Sequence, residues 1–196
     1  MTAGSSTDPV SRILDAARAC YLEAGISNTG MREVAAAAGV ARSTLYRYFP
    51  NRDDLLVATL KLETQALNAE LQKSLQAQVS PADMVVEGLV LAIREIPQRP
   101  LLRAVFASDE DARARRAIWN SAAIVEFGEE LMAHVVQPAL DAGLLQDRVD
   151  PHILVEWVYR VLISFLTLPS NWISDENQLR ATLHTLLVPV LLREQR

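Results

Sequence analysis

The sequence is short of most of the residues that chemistry or secretion would require. It has one cysteine, Cys20, so no internal disulfide can form, and a reducing compartment suits it. Its three histidines, His134, His152 and His184, are scattered along the chain and show no metal-ligand spacing with that cysteine. Glycine is scarce, and none of the seven sits in a phosphate-cradling loop or a nucleophile elbow. The Glu-x-x-His pattern by which helical bundles hold metal centres is also missing. No catalytic residue, metal ligand or cofactor is therefore expected, and an α-helical enzyme is a distant third reading.

Long apolar runs are lacking as well. The most apolar stretch, Ile153 to Leu168, is interrupted by Glu156 and Arg160 and falls short of a membrane span. Met1 to Asp8 is polar, without the basic start and apolar run of a secretory signal. The expectation is a cytoplasmic chain with no membrane partner. A net positive charge is absent too, since the formal total is −5, which taken alone argues against nucleic acid. Distribution matters more than the total. From Ile26 to Arg52 the charges are Arg32, Arg42, Arg47 and Arg52 against Glu33, a net +3, whereas the chain beyond is acidic.

What the chain does have is hydrophobic residues, half of its 196, and helix punctuation. That is enough for a substantial core, either as one unit or as a small head on a larger body. Asp8-Pro9 opens a first helix that Gly25 closes, with Ile13, Ala17, Cys20 and Ala24 at helical spacing. Short helices fit Met31 to Ala38 and Arg42 to Tyr48. Asn51, with Asp54 three residues on, starts a long helix reaching about Gln78. Ser80-Pro81 opens another helix, stopped by Pro97, and a short piece follows Pro100. Ser108 and Asp111 start a run to Gly143 that Pro138 interrupts, and Asp150-Pro151 starts a helix ended by Pro169. Ser174 is expected to cap the last helix, and Pro189 to bend it. The fold class is all-α, with a boundary between Tyr48 and Asn68 that we place after residue 55. Residues 1–55 would then form the head and 56–196 the body.

The informative stretch is Met31-Arg-Glu-Val-Ala-Ala-Ala-Ala-Gly-Val-Ala-Arg-Ser-Thr-Leu-Tyr-Arg-Tyr-Phe49. Small Ala35 and Ala38 let two short helices cross closely, and Gly39 supplies the positive φ of a tight turn. Val34, Val40, Leu45 and Tyr48 would pin the pair against the first helix. Arg42, Ser43, Thr44, Tyr46 and Arg47 remain on the outer face, rich in donors and free of acid. A helix of this width fits the major groove, where arginine meets guanine edges and Thr or Tyr meets thymine methyls. Thr29, Tyr48 and Arg52 flank it and are expected to hold phosphates, fixing register. A basic surface on an ordinary bundle explains any one of these residues. It explains their combined spacing much less well.

Here the sequence resembles the TetR family of transcription regulators, over roughly Ser11 to Leu60. Ile13-Leu-Asp-Ala-Ala-Arg-Ala-Cys-Tyr-Leu-Glu-Ala-Gly25 is similar to the family's first helix. Ala41-Arg-Ser-Thr-Leu-Tyr-Arg-Tyr-Phe-Pro-Asn-Arg-Asp-Asp-Leu-Leu56 resembles its recognition helix and the opening of its fourth helix. The resemblance implies a homodimer, binding to double-stranded operator DNA, and repression relieved by a small-molecule effector bound in the helical body. Two positions depart from the common pattern: Gly30 and Ala41 stand where a capping Ser or Thr is frequent.

In the body the residues carry less. The Ile153–Leu168 helix is apolar over most of its circumference and, with Leu179, Leu183, Leu186 and Val190 of the last helix, would make a two-fold interface. Filling a monomer core is the competing reading of the same residues. Leu89, Ile93, Phe106, Trp119, Ala123, Phe127 and Trp157 are candidate pocket walls, with Asn120 and Arg160 as polar contacts. Plain core packing competes at each of them, and Arg160 also has Glu156 one helical turn away. The alternative function is a helical small-molecule-binding protein without operator-specific DNA binding. Retention of Arg42, Arg47 and Arg52 counts against it.

Overall fold

The computed structural model describes residues 8–76, 80–106, 122, 150–168 and 170–192. Helices form where the caps place them. Helix α1, Pro9–Ala24, starts on the Asp8 carboxylate, which accepts the N–H groups of Val10 and Ser11 at 3.3 and 3.2 Å. Those donors hold the carboxyl below its ordinary pKa, Ser11 most strongly. The helix stops at Gly25, whose backbone has φ 83 and ψ 155 and whose N–H bonds the Tyr21 carbonyl. Helices α2 (Met31–Ala37) and α3 (Arg42–Tyr48) follow, joined through Gly39 at φ 63. Helix α4, Arg52–Leu75, begins where the Asn51 side chain accepts the Asp54 N–H at 2.8 Å.

Helix α5 (Pro81–Glu95) is capped by the Ser80 hydroxyl and runs into a short 3-10 turn, Ile96–Gln98. Helix α6 (Pro100–Phe106) comes next, then α7 (Pro151–Thr167), α8 (Glu176–Leu186) and α9 (Val188–Leu191). The cap of α8 is Asp175, one residue later than expected, because its carboxylate takes the Gln178 N–H at 2.9 Å. Ser174 instead pairs with the Gln178 side chain. Pro189 ends α8 early: the missing donor leaves a break at Leu187 and a one-turn α9. The expected helix from Ser108 to Gly143, with its Pro138 interruption, lies outside the described residues. No described helix is long and apolar enough to cross a membrane.

Two compact units are present, and the chain passes from one to the other inside α4, between Glu63 and Thr64. The first contains α1 to the start of α4 together with α6. Its core is Ile13, Leu14, Ala17, Val34, Leu45, Leu55 and Leu56, with Leu101, Leu102 and Val105 from α6, which packs on α1. The second holds the rest of α4 with α5, α7, α8 and α9. There Val86, Leu89 and Val90 of α5 are buried, as are Leu154, Val158 and Leu162 of α7 and Leu179 and Leu183 of α8. A fork from Arg180 to both Glu87 oxygens, at 2.6 and 3.1 Å, ties α8 to α5.

Candidate nucleic-acid interface

The first unit is built to present α3. Val34 of α2 and Leu45 of α3 are buried completely, which sets the two short helices against the core. Ala35 and Ala38 are buried as well, and their small side chains permit the close crossing. Val40 is half-buried. The last pin is Phe49 rather than Tyr48. Phe49 closes α3 in an extended conformation and turns inward, while Tyr48 stays exposed. One turn beyond Leu45 falls between positions 48 and 49, so helical phase alone does not choose between them.

With Leu45 inward, Arg42, Ser43, Tyr46 and Arg47 lie exposed on α3 and Thr44 is half-buried. The Arg42 guanidinium sits 6.0 Å from the Tyr46 ring centre and that of Arg47 sits 4.9 Å from the Tyr48 ring centre. Arg47 also donates to the Tyr48 hydroxyl at 3.3 Å. Each arginine is thus steered by an aromatic ring, which limits its rotamers while leaving its donors accessible. The face offers guanidinium, hydroxyl and phenol groups and has no carboxylate.

Two residues expected on phosphates bond backbone carbonyls of the head. The Thr29 side chain is 2% exposed, and its hydroxyl donates to the carbonyls of Gly25 and Cys20 at 2.9 and 3.1 Å. Those acceptors lie in the last turn of α1 and just beyond it. Arg52 is half-buried, and its guanidinium donates to the carbonyls of Thr29, at 2.8 Å, and Ile26. Arg12 does the same at the next turn, donating to the Ala38 carbonyl at 2.8 Å and reaching that of Gly39 at 3.4 Å. Sequence reasoning missed Arg12 altogether, because nothing in helical periodicity pairs a residue with a carbonyl 26 positions away.

Neither Gly30 nor Ala41 gives its helix a side-chain cap. At α2 the Glu33 carboxylate turns back toward residue 30, and a Cβ on Gly30 would meet its Oε2 at 2.7 Å. Glycine there makes room for the acid, which backbone N–H groups and Arg32 hold below its ordinary pKa.

The candidate pocket residues that are described fall in both units. Leu89 is buried and Ile93 half-buried on α5 of the second unit, whereas Phe106 is buried on α6 of the first. Trp157 and Arg160 both face outward from α7, Trp157 48% exposed and Arg160 paired with Glu156 at 2.5 Å. The buried face of α7 is taken by Leu154, Val158 and Leu162, on a different side of the helix from them. Trp119, Asn120, Ala123 and Phe127 lie outside the described residues. Tyr159, unremarked in the sequence, is half-buried on α7, and burial raises its phenol pKa.

A helix-turn-helix that displays a donor-rich second helix, carried on an all-α body, defines a DNA-binding transcription regulator. Residues 13–59 match the model of the bacterial regulatory proteins of the tetR family. The repressor KstR of Rhodococcus jostii is 30% identical over 179 residues, covering 90% of this chain and 81% of its own. A helix-turn-helix regulator of Mycobacterium tuberculosis is 29% identical over 180 residues, covering 92% and 84%. Among solved structures, the regulator FadR of Bacillus subtilis, in complex with stearoyl-CoA, shares the fold with a TM-score of 0.61. It is 17% identical and covers 92% of this chain and 98% of its own. The chain belongs to the TetR family, and it is a regulator rather than an enzyme.

Proposed function

We propose that the protein is a dimeric repressor that reads a palindromic operator and leaves it when a small molecule binds the second unit. The observation that carries this is the exposed α3 face, where Arg42, Ser43, Tyr46 and Arg47 stand clear of the core that Leu45 anchors. Arg47 and Tyr46 are assigned to base edges, with Thr44 at their margin and Arg42, Ser43 and Tyr48 shared between bases and flanking phosphates. In a two-fold dimer the recognition helices would meet successive major grooves, roughly 34–36 Å apart or somewhat more.

Exposed Ile153, Trp157, Leu168, Leu186 and Val190 on and around α7 to α9 support the dimer, since so much apolar side chain is costly in water. The named repressor KstR supports repression, and the acyl-CoA complex of FadR supports an effector with an apolar body. Leu89 and Ile93 are the described residues we retain for its site. Effector action requires preferential binding to a dimer whose heads mismatch the operator, and α4, continuous from one unit to the other, is the element that would carry the change.

The test is binding to a duplex from the region upstream of its own gene, beside a scrambled duplex. Arg47→Ala and Tyr46→Ala are expected to lose most of the preference, about 1–3 kcal/mol each, while keeping weak binding to both. Undiminished preference in both variants would remove them from base reading.

A further inference from the structure

Four backbone carbonyls bracket α2, two in the loop before it and two in the turn after it. Two arginines from outside that segment take them. Arg52, at the first position of α4, bonds Ile26 and Thr29, and Arg12, on α1, bonds Ala38 and reaches Gly39. Both arginines are half-buried; Arg52 puts Nε and Nη2, fixed in one plane, on two separate carbonyls, and Arg12 reaches both of its carbonyls through Nη2. The loop held by Arg52 is fastened a second time from within, by the Thr29 hydroxyl on Cys20 and Gly25 and by Asn28 on the Ala24 carbonyl. The residues of this joint therefore face protein backbone. On α3 the corresponding donors face outward.

We infer that Arg52 and Arg12 are positioning residues, a pair of clamps that fixes the attitude of α2 and hence of α3, and that Arg52 acts on DNA binding without contacting a phosphate. The inference rests on the DNA-binding reading above and gives it a specific mechanical part. A guanidinium across two carbonyls resists rotation of the loop about either bond, which a single ammonium contact does not. Because Arg52 opens α4, a shift of that helix would be delivered to the loop through the same two carbonyls. The clamp is thus also where a displacement of α4 would reach α2.

The alternatives separate on salt dependence. A residue that neutralises one phosphate contributes about 0.9 to the slope of log K against log salt. Arg52→Gln is expected to leave the slope of the full-length protein at its wild-type value. Affinity for a selected duplex should fall roughly ten- to a hundredfold, as for loss of charge-assisted hydrogen bonds, with non-specific binding little changed. Arg52→Lys keeps the charge, so it would rescue a phosphate contact; here it is expected to rescue less than half of the lost affinity on a logarithmic scale. Circular dichroism melts of both variants report whether the head stays folded, and amide exchange of Gly30 to Ala38 should quicken in both. A slope reduced by about 0.9 in Arg52→Gln, with affinity restored by Arg52→Lys, would overturn the inference. Wild-type affinity in either variant would overturn it too. Failure of the wild-type protein to prefer any duplex would instead refute the DNA-binding reading itself.

Discussion

Tyr21 offers a sharp test of how the head is held. Its side chain is 3% exposed, and its hydroxyl is buried with no hydrogen-bond partner among the described residues. A buried hydroxyl left unpaired costs about 1–3 kcal/mol, so Tyr21→Phe, which keeps the ring and removes that oxygen, should stabilise the head by about that amount. Burial is the main cause that lifts the phenol from its ordinary 10 to about 12, Arg52 opposing and Asp53 adding. As pH rises, the unfolded chain loses this proton first. The stability associated with it is intact below pH about 10 and declines between there and about 12. One unit into that window, near pH 11, the wild-type loss from this group alone is about 1.4 kcal/mol. The advantage of Tyr21→Phe should therefore widen by that amount between neutral pH and about pH 11, other titrating groups being common to both proteins. Urea unfolding followed by circular dichroism, at matched salt, measures it. A variant less stable than wild type at neutral pH, or an advantage that does not grow with pH, would mean that the hydroxyl has a partner.

Gly25→Ala should destabilise the head by about 1–3 kcal/mol through backbone strain alone, because φ 83 with ψ 155 is open to glycine and a Cβ there meets only Asn28 Nδ2, at 3.9 Å. Thermal melts would show it, and an unchanged midpoint would mean that the end of α1 relaxes. On the second unit, Trp157→Glu and Leu186→Glu should shift sedimentation from dimer to monomer with helix content retained, since both side chains are exposed in the single chain. Persistence of the dimer in both variants would place its interface elsewhere.

Much of the fold was legible because helix ends are local. Asp8, Asn51, Ser80 and Asp150 each announce a start within four residues, and Gly25 and Gly39 each mark a stop that only glycine makes easily. The exposed face of α3 was legible for the same reason, since burying Leu45 determines which neighbours face outward. What sequence could not show was the use of long polar side chains at a distance. Arg52 and Thr29 have the right chemistry for phosphate, and only the folded chain brings protein carbonyls to them first. The outward placement of Trp157 was hidden for a related reason. An apolar helix with two candidate faces does not say which one its own domain will cover, and Leu154, Val158 and Leu162 took the inner one.

In the proposed function, α3 reads base edges as one half of a two-fold pair. Selection of bound duplexes from a randomised library, at a salt concentration where non-specific binding is weak, tests it most directly. Enrichment of an inverted repeat is expected, with half-site centres about one helical turn apart or somewhat more, and preference lost at the positions read by Arg47 and Tyr46 when these become alanine. Recovery of sequences no different from the starting library would contradict it.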